Sequence, residues 1–413
     1  MSRIVVVGGG AAGLELSTLL AKSVRENDEI LLIEPEIDHY WKPRLHEIAA
    51  GTFDSDLDSV CYFTHGATHG YQHYQAAMTN IDRQQKVVNV RKADGTEDTV
   101  SYDYLVIAIG AVSNDFNTHG AKAHCMFLDS ASQAREAWHQ ISHVLRAGND
   151  STINIVGAGA TGVELAAELA RVSKKLKRYN AACLNINLIE AADRVLPNSP
   201  QKMSDKVLEK LTRSDVKVLL NTRIEEVTHD GMQTTDGLFL AANTQFWAAG
   251  VKAPDWLNGI GGLAYNRMNQ IIVNQDLSST IDPAIFAIGD CASIPQADGS
   301  TVPPRAQAAN QAAIHLAKSL SRHLDEQALT PFTFKDGGMV VAVGHHFAVG
   351  SFGIAPFAQN ERCEGKLVLQ GRMIRRIYDT IFRLHQSTVS GVFTVSRLMI
   401  AKRLKAVFKP TGI

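Results

Sequence analysis

The sequence predicts an α/β protein in which one doubly wound unit is inserted into another, followed by a helical C-terminal region. Three observations predict it: a glycine-rich turn within residues 4–16, a second copy within residues 153–165, and a change of composition after Gly365. The copies matter most, because a lone glycine turn occurs in many α/β proteins, whereas two complete ones in one chain are far more specific.

In the first copy a β-branched run, residues 4–7, is too short for a helix and meets Gly8-Gly9-Gly10-Ala11-Ala12-Gly13. Helically spaced Leu14, Leu16, Leu19 and Leu20 follow. In a Rossmann-like dinucleotide fold, Gly8 permits the tight turn, Gly10 lets backbone approach a pyrophosphate at the helix N-terminus, and Gly13 allows helix to pack on strand. The next strand, 29–33, ends at Glu34, whose carboxylate can accept from a ribose diol, and then Pro35.

At 413 residues the chain can form two to three domains, and its net charge of −1 offers no general attraction for polyanions, so nucleic acid is a poor partner. Five scattered cysteines without a CxxC pair oppose a disulfide framework or thiolate metal site and fit a reducing cytosol. No apolar run approaches the length of a membrane span. The opening apolar stretch resembles a signal peptide only until Glu15 interrupts it.

In the proline-containing segment 39–47, Lys42 and Arg44 can meet phosphate or flavin carbonyls, or be ordinary surface basics. His65, His69 and His73 stand four apart, a metal-ligand spacing on a helix. Gly66 and Gly70 oppose a stable helix there, so a solvated loop and strand edge without metal is expected. Strands and polar turns fill 74–103, with 93–96 as a hairpin signal, and a buried strand then ends at Ala108 and Gly110. A helix with serine caps opens near 129–134.

The repeat follows: residues 153–156, then Gly157-Ala158-Gly159-Ala160-Thr161-Gly162, then Glu164, with Glu190 ending the next strand. Residues 245–250, ending at Gly250, mirror the strand that ends at Gly110. Glu190 repels a 2′-phosphate and accepts from a ribose hydroxyl, which favours NADH over NADPH. After the inserted unit, the strand at 285–287 leads to Asp290, which can bond the ribityl hydroxyls of FAD or cap the segment beyond it.

Pro303 and Pro304 suit the first turn of a helix whose alanines keep its end slim beside a flat ring, and whose positive end would stabilise an anionic reduced flavin. On it Gln307 and Gln311, one turn apart, can bond a quinone or flavin carbonyl or simply form a polar face. In the tail, Ile374, Ile377, Tyr378, Ile381 and Phe382 have helical spacing. After Gly391, a second helix over 392–408 carries an apolar arc with Lys402, Lys405 and Lys409 opposite. A basic amphipathic pair of this kind suits an anionic bilayer surface; a dimer interface or packing on the core are the competing readings.

These residues together resemble the type II NADH:quinone dehydrogenases, single-subunit flavoenzymes with two dinucleotide-binding domains. The likeness runs through both glycine turns, Asp193-Arg194-Val195-Leu196-Pro197, Trp247-Ala248-Ala249-Gly250, Gly289-Asp290, residues 306–311 and the tail segment 378–386. It implies non-covalent FAD, hydride transfer from NADH, and two-electron reduction of a membrane quinone without ion pumping. The implied organisation is an FAD-binding domain over 1–112 and 265–330, an NADH-binding domain over 113–264, and a membrane-association region over 331–413. Implied cofactor contacts are Gly8, Gly9, Gly10, Ala11, Ala12, Gly13, Glu34, Pro35, Lys42, Met78, Ala108, Gly110, Asp290, Ala306 and Gln307 on the FAD side. On the NADH side they are Gly157, Gly159, Thr161, Gly162, Glu190 and Gly250, with Gln307 and Gln311 toward quinone.

Glu164 matches the family glutamate beside nicotinamide and flavin, thought to relay protons and position NADH; a first-turn acid near the helix dipole is the simpler alternative. The likeness places the protein as a peripheral homodimer on the cytoplasmic face of the inner membrane. Two other functions compete. A sulfide:quinone oxidoreductase needs cysteines flanking the flavin, and Cys125 and Cys291 are not obviously paired. A flavin redox sensor docking on membranes would turn over little NADH.

Overall fold

The computed structural model describes residues 1–25, 27–179, 182–353 and 366–408, so Cys363 and Lys409 lie outside the described residues. Strand Arg3–Val7 lies inside a parallel five-stranded sheet ordered 285–287, 104–107, 3–7, 29–33, 72–74. Strand Ser151–Val156 has the same place in a parallel four-stranded sheet ordered 216–219, 184–189, 151–156, 244–247. In both, chain order reverses beside the strand that feeds the glycine turn, which opens the crevice where such sheets bind ligands.

Each unit passes from its third to its fourth strand through a three-stranded antiparallel sheet, over 77–101 in the first and 224–241 in the second. The chain crosses between units at Val112–Ser113 and Val251–Lys252, which pair antiparallel.

The helix expected near 129–134 runs Ala131–Arg146, with a capping box between Ser130 and Gln133. Helix Ala306–Leu324 starts after Arg305, so Pro303 and Pro304 precede its cap rather than occupy its first turn. Its buried Ala308, Ala309, Ala312 and Ala313 let it lie close along helix Ala11–Ser23. Their slimness therefore serves helix packing first.

Two expectations fail. Residues Tyr62–His69 form a helix despite Gly66, because a side chain at 66 would meet the Tyr71 carbonyl oxygen at 2.6 Å; the glycine is there for close approach. Gly70, at φ +88°, is the left-handed cap that ends this helix. Within 331–413, strands Met339–Ala342, Ala348–Phe352 and Leu367–Gly371 form an antiparallel sheet before the two helices Arg372–Ser390 and Val392–Phe408. Its Val341, Val349 and Val368 are buried in the core of the second unit, so this part of the region packs on the body. That core also takes in Leu45, Ile48 and Ala49. The short helix Leu45–Ala49 thus brings His46 and Glu47 to the second unit.

Candidate active site

The two glycine turns are near-copies in geometry as in sequence. Gly8 and Gly157 stand at φ +99° and +98°, where an L side chain is strained. A Cβ at Gly13 would fall 1.8 Å from the Gly8 carbonyl oxygen, and one at Gly162 1.9 Å from that of Gly157. The acids act alike too. Glu34 accepts from Gly9 N–H at 2.6 Å and Glu36 N–H at 3.1 Å; Glu190 accepts from Ala158 N–H at 2.7 Å and Ala192 N–H at 2.9 Å. Burial pushes the Glu34 carboxyl up, and those two N–H groups oppose it.

Space at the mouths fits a dinucleotide. Where a Cβ would stand at Gly10 and Gly159 there is nothing within 4 Å, and each glycine precedes the N-terminus of a helix, Ala11–Ser23 or Ala160–Lys177. That end carries roughly half a positive charge and free N–H groups, which suits a pyrophosphate. Ala11 and Ala12 begin the first helix, and Thr161 is exposed on the first turn of the second.

Around the first sheet's carboxyl edge, Lys42 donates to the Ala111 carbonyl at 2.5 Å, next to Gly110, and lies near enough to Asp290 to oppose the upward push of burial on that carboxyl. Ala108 donates to Val7 at 2.7 Å, and its carbonyl backs Gly8. The structure thus brings Lys42, Ala108, Gly110 and Asp290 to the end of the sheet that carries the turn. Pro35 is exposed beyond Glu34, Met78 is buried in the first core on strand Ala77–Asp82, and Gly250 lies under the Phe116 ring.

At the head of helix Ala306–Leu324, Gln307 has a buried side-chain oxygen without a hydrogen-bond partner, beside Gly337. Gln311 differs: its amide donates to the Lys335 carbonyl at 2.9 Å and accepts from Lys335 N–H at 3.0 Å. Both ends of its amide fasten the 335 loop.

Glu164 lies 6% exposed where the second unit meets the tail. It accepts from Ala342 N–H at 2.9 Å and lies 3.5 Å from His46 Nδ1. Burial pushes its carboxyl up, against the pull of His46, the Ala342 N–H and Arg375. Tyr378 of the tail helix adjoins it, and its buried hydroxyl also opposes the upward push.

Arg44, offered above as a phosphate or flavin contact, is buried instead. It pairs with Glu47 and, at 3.3 Å, with Asp58. Asp58 also holds Arg383 at 3.3 Å and Lys402 at 2.6 Å. Burial pushes Asp58 up, but those three cations outweigh it and hold it below the usual carboxylate range. The rings of His65 and His69 stack with centroids 3.9 Å apart, but His65 contacts Tyr71 and the Val389 carbonyl, while His73 turns away to the Glu34 carbonyl. Among the described residues no group of three or more side chains could hold a metal.

Sequence reasoning missed His46, Asp58 and the partners of Glu164, since nothing local marks contacts made across more than a hundred residues. Charge offered a faint signal, because Glu47, Asp54, Asp56 and Asp58 face a tail that is almost purely basic.

Residues 2–313 match the model of the pyridine nucleotide-disulphide oxidoreductase family. The type II NADH:quinone oxidoreductase of Haemophilus influenzae is 36% identical, with 99% of both chains covered. That of Staphylococcus aureus is 30% identical over 91% of this chain and 96% of its own. Among solved structures, NDH2 from Plasmodium falciparum in complex with NADH superposes with a TM-score of 0.83 at 18% identity, over 100% of this chain and 99% of its own. A sulfide:quinone oxidoreductase from Aquifex aeolicus reaches 0.76 at 16% identity, over 100% and 96%. With two acid-braced dinucleotide turns and relatives matched from end to end, the chain belongs to the type II NADH:quinone oxidoreductases, within the pyridine nucleotide-disulphide oxidoreductase family.

Proposed function

We propose that the chain oxidises NADH and reduces a membrane quinone, using non-covalent FAD held at the first glycine turn. The observation that carries this is the pair of equivalent turns, each with its amide fixed by a buried or half-buried glutamate, so that one chain can hold two dinucleotides. FAD, when bound, supplies the chemistry that takes a hydride equivalent from one substrate and passes it to the other. The protein's task is then mainly orientation, because a carbon-bound hydride needs no base for its removal.

Residues 1–112 and 265–330 serve FAD and 113–264 serve NADH in this reading. Glu190 accepts the adenosine ribose and repels a 2′-phosphate. Gln307, with its unpartnered oxygen and the amide beside it, is the residue we assign to flavin or quinone; Gln311 is spent on Lys335. Glu164, whose carboxyl is pushed up by burial, is suited to hold a proton for the quinone oxygen, with the Tyr378 hydroxyl beside it as a donor.

The tail supports a peripheral seat on the inner membrane. Lys402 and Lys405 turn inward to Asp58, Asp54 and Asp56, while Val392, Phe393, Ile400 and Leu404 stand 67%, 85%, 59% and 53% exposed. A helix with two lysines held on the protein, Arg397 and Arg403 exposed and an apolar side outward fits a lipid surface better than water. No helix among the described residues is long and apolar enough to cross a membrane.

Sulfide oxidation is disfavoured by the thiols: burial pushes both Cys125 and Cys291 to about 12, far from nucleophilic thiolates. Steady-state assays with a water-soluble quinone are expected to give turnover with NADH, at least tenfold less efficiently with NADPH, and none with sulfide. Turnover with sulfide but not NADH would reverse the reading.

A further inference from the structure

Glu15 has no exposed surface, although it lies on the helix that follows the first glycine turn. Both of its oxygens are bound by distant parts of the chain. The Nδ1 of His385, on the tail helix, lies 2.6 Å from one, and Asn310 donates to the other at 2.6 Å. The far edge of the same imidazole, Nε2, lies 3.1 Å from Nε2 of His39. His39 Nδ1 in turn lies 2.9 Å from the Gly9 carbonyl oxygen, which also accepts from the Tyr62 hydroxyl at 2.7 Å.

Counting protons along this chain assigns each ring. A carbonyl only accepts, so His39 carries hydrogen on Nδ1. Its burial keeps the ring neutral, pushed to about 3, which leaves a lone pair on Nε2. His385 therefore presents Nε2–H to His39 and turns its Nδ1 to Glu15. The tail helix, through one N–H, fixes the tautomer and orientation of the residue that holds Gly9.

Gly9 matters because its two peptide groups set the turn. Its N–H is held by Glu34, and its carbonyl is held inward by His39 and Tyr62. In a trans peptide the following N–H points the opposite way, so an inward Gly9 carbonyl aims the Gly10 N–H outward, toward the open mouth of the helix.

We propose that His385 is a positioning residue for the FAD turn: seating of the tail helix supplies the hydrogen bond that fixes His39 and Gly9, and tight FAD binding depends on that seat. This rests on reading the first turn as the FAD site. None of the glycine-turn residues lies in the tail, so the dependence couples the lipid-facing element to cofactor retention.

The test is a double-mutant cycle on FAD affinity, read by fluorescence of flavin released from purified holoprotein and by re-uptake. His385→Phe keeps ring volume and removes both ring nitrogens; it is expected to weaken FAD binding about tenfold. His39→Phe is expected to do the same, and the double variant to lose no more than either alone, because both cut one chain. His385→Gln serves as a second variant if the phenylalanine protein does not fold. Unchanged FAD affinity in a folded His385 variant overturns the proposal, as do additive losses in the double variant. A parent protein that takes up no FAD at all overturns instead the reading of the first turn, a separate result.

Discussion

A glycine whose missing side chain is the whole of its role gives the sharpest residue-level tests. Gly13 and Gly162 each leave less than 2 Å between an added Cβ and a backbone oxygen, so Gly→Ala must push helix from strand at either site. The two units have separate cores, and the losses are expected to separate too. Gly13→Ala is expected to purify largely without flavin. Gly162→Ala is expected to keep flavin and show at least a tenfold higher KM for NADH; a variant at 162 that loses flavin but binds NADH normally would invert the assignment.

Glu164 offers a pH test. Its folded pKa is raised by burial, so the protonated form favours the fold. That contribution is complete below the ordinary glutamate range and is lost as pH rises through the elevated folded value. Glu164→Gln is therefore expected to raise Tm at about pH 8 and to match the parent near pH 4, while quinone reduction falls by about 10²-fold. Equal melting at both pH values would contradict the buried-acid account.

At the scale of elements, the tail helices are held by opposite means. Helix Arg372–Ser390 buries Ile374, Tyr378 and Phe382, while Met373, Ile377, Ile381 and Leu384 form a second, exposed stripe. Helix Val392–Phe408 is fastened largely by charge. Asp58 holds Lys402 of this helix together with Arg383 of the preceding one and Arg44, and Asp58→Asn leaves all three unbalanced, at a cost of about 3–5 kcal/mol when a buried pair is broken. Limited proteolysis is expected to cleave the tail of Asp58→Asn at least tenfold faster than that of the parent; equal rates would refute the anchoring.

The helix boundaries at 392–408 were legible in the sequence from spacing and Gly391 alone. Which side faces the body was less so: the apolar arc was visible, but not that Lys402 and Lys405 reach Asp58, Asp54 and Asp56, more than 340 residues away. The strands at 339–371 escaped because they are short and lack strong hairpin turns. The helix at 62–69 escaped because a glycine required for packing on Tyr71 looks, in one dimension, like a helix breaker.

Over the whole molecule, duplication made the architecture readable. Strand, glycine turn, helix and terminal glutamate are local in sequence, and both copies fold as their periodicity implies. The contacts between units and tail are not local, so His46 and the ring chain from Glu15 to Gly9 had no signature, and Asp58 had only the faint one of charge. Removal of residues after Gly391 is expected to abolish binding to anionic vesicles while NADH oxidation with a soluble acceptor persists, since the turns lie outside the deleted helix. Unchanged vesicle binding would place the membrane contact elsewhere.

The central claim is that two matched turns hold an electron carrier and its donor in one protein. Anaerobic addition of NADH to the purified yellow protein, followed by quinone, tests it most directly. The flavin absorbance should bleach with NADH and return with quinone, one NADH being consumed for each quinone reduced. Absorbance that is indifferent to NADH in protein containing flavin would contradict it.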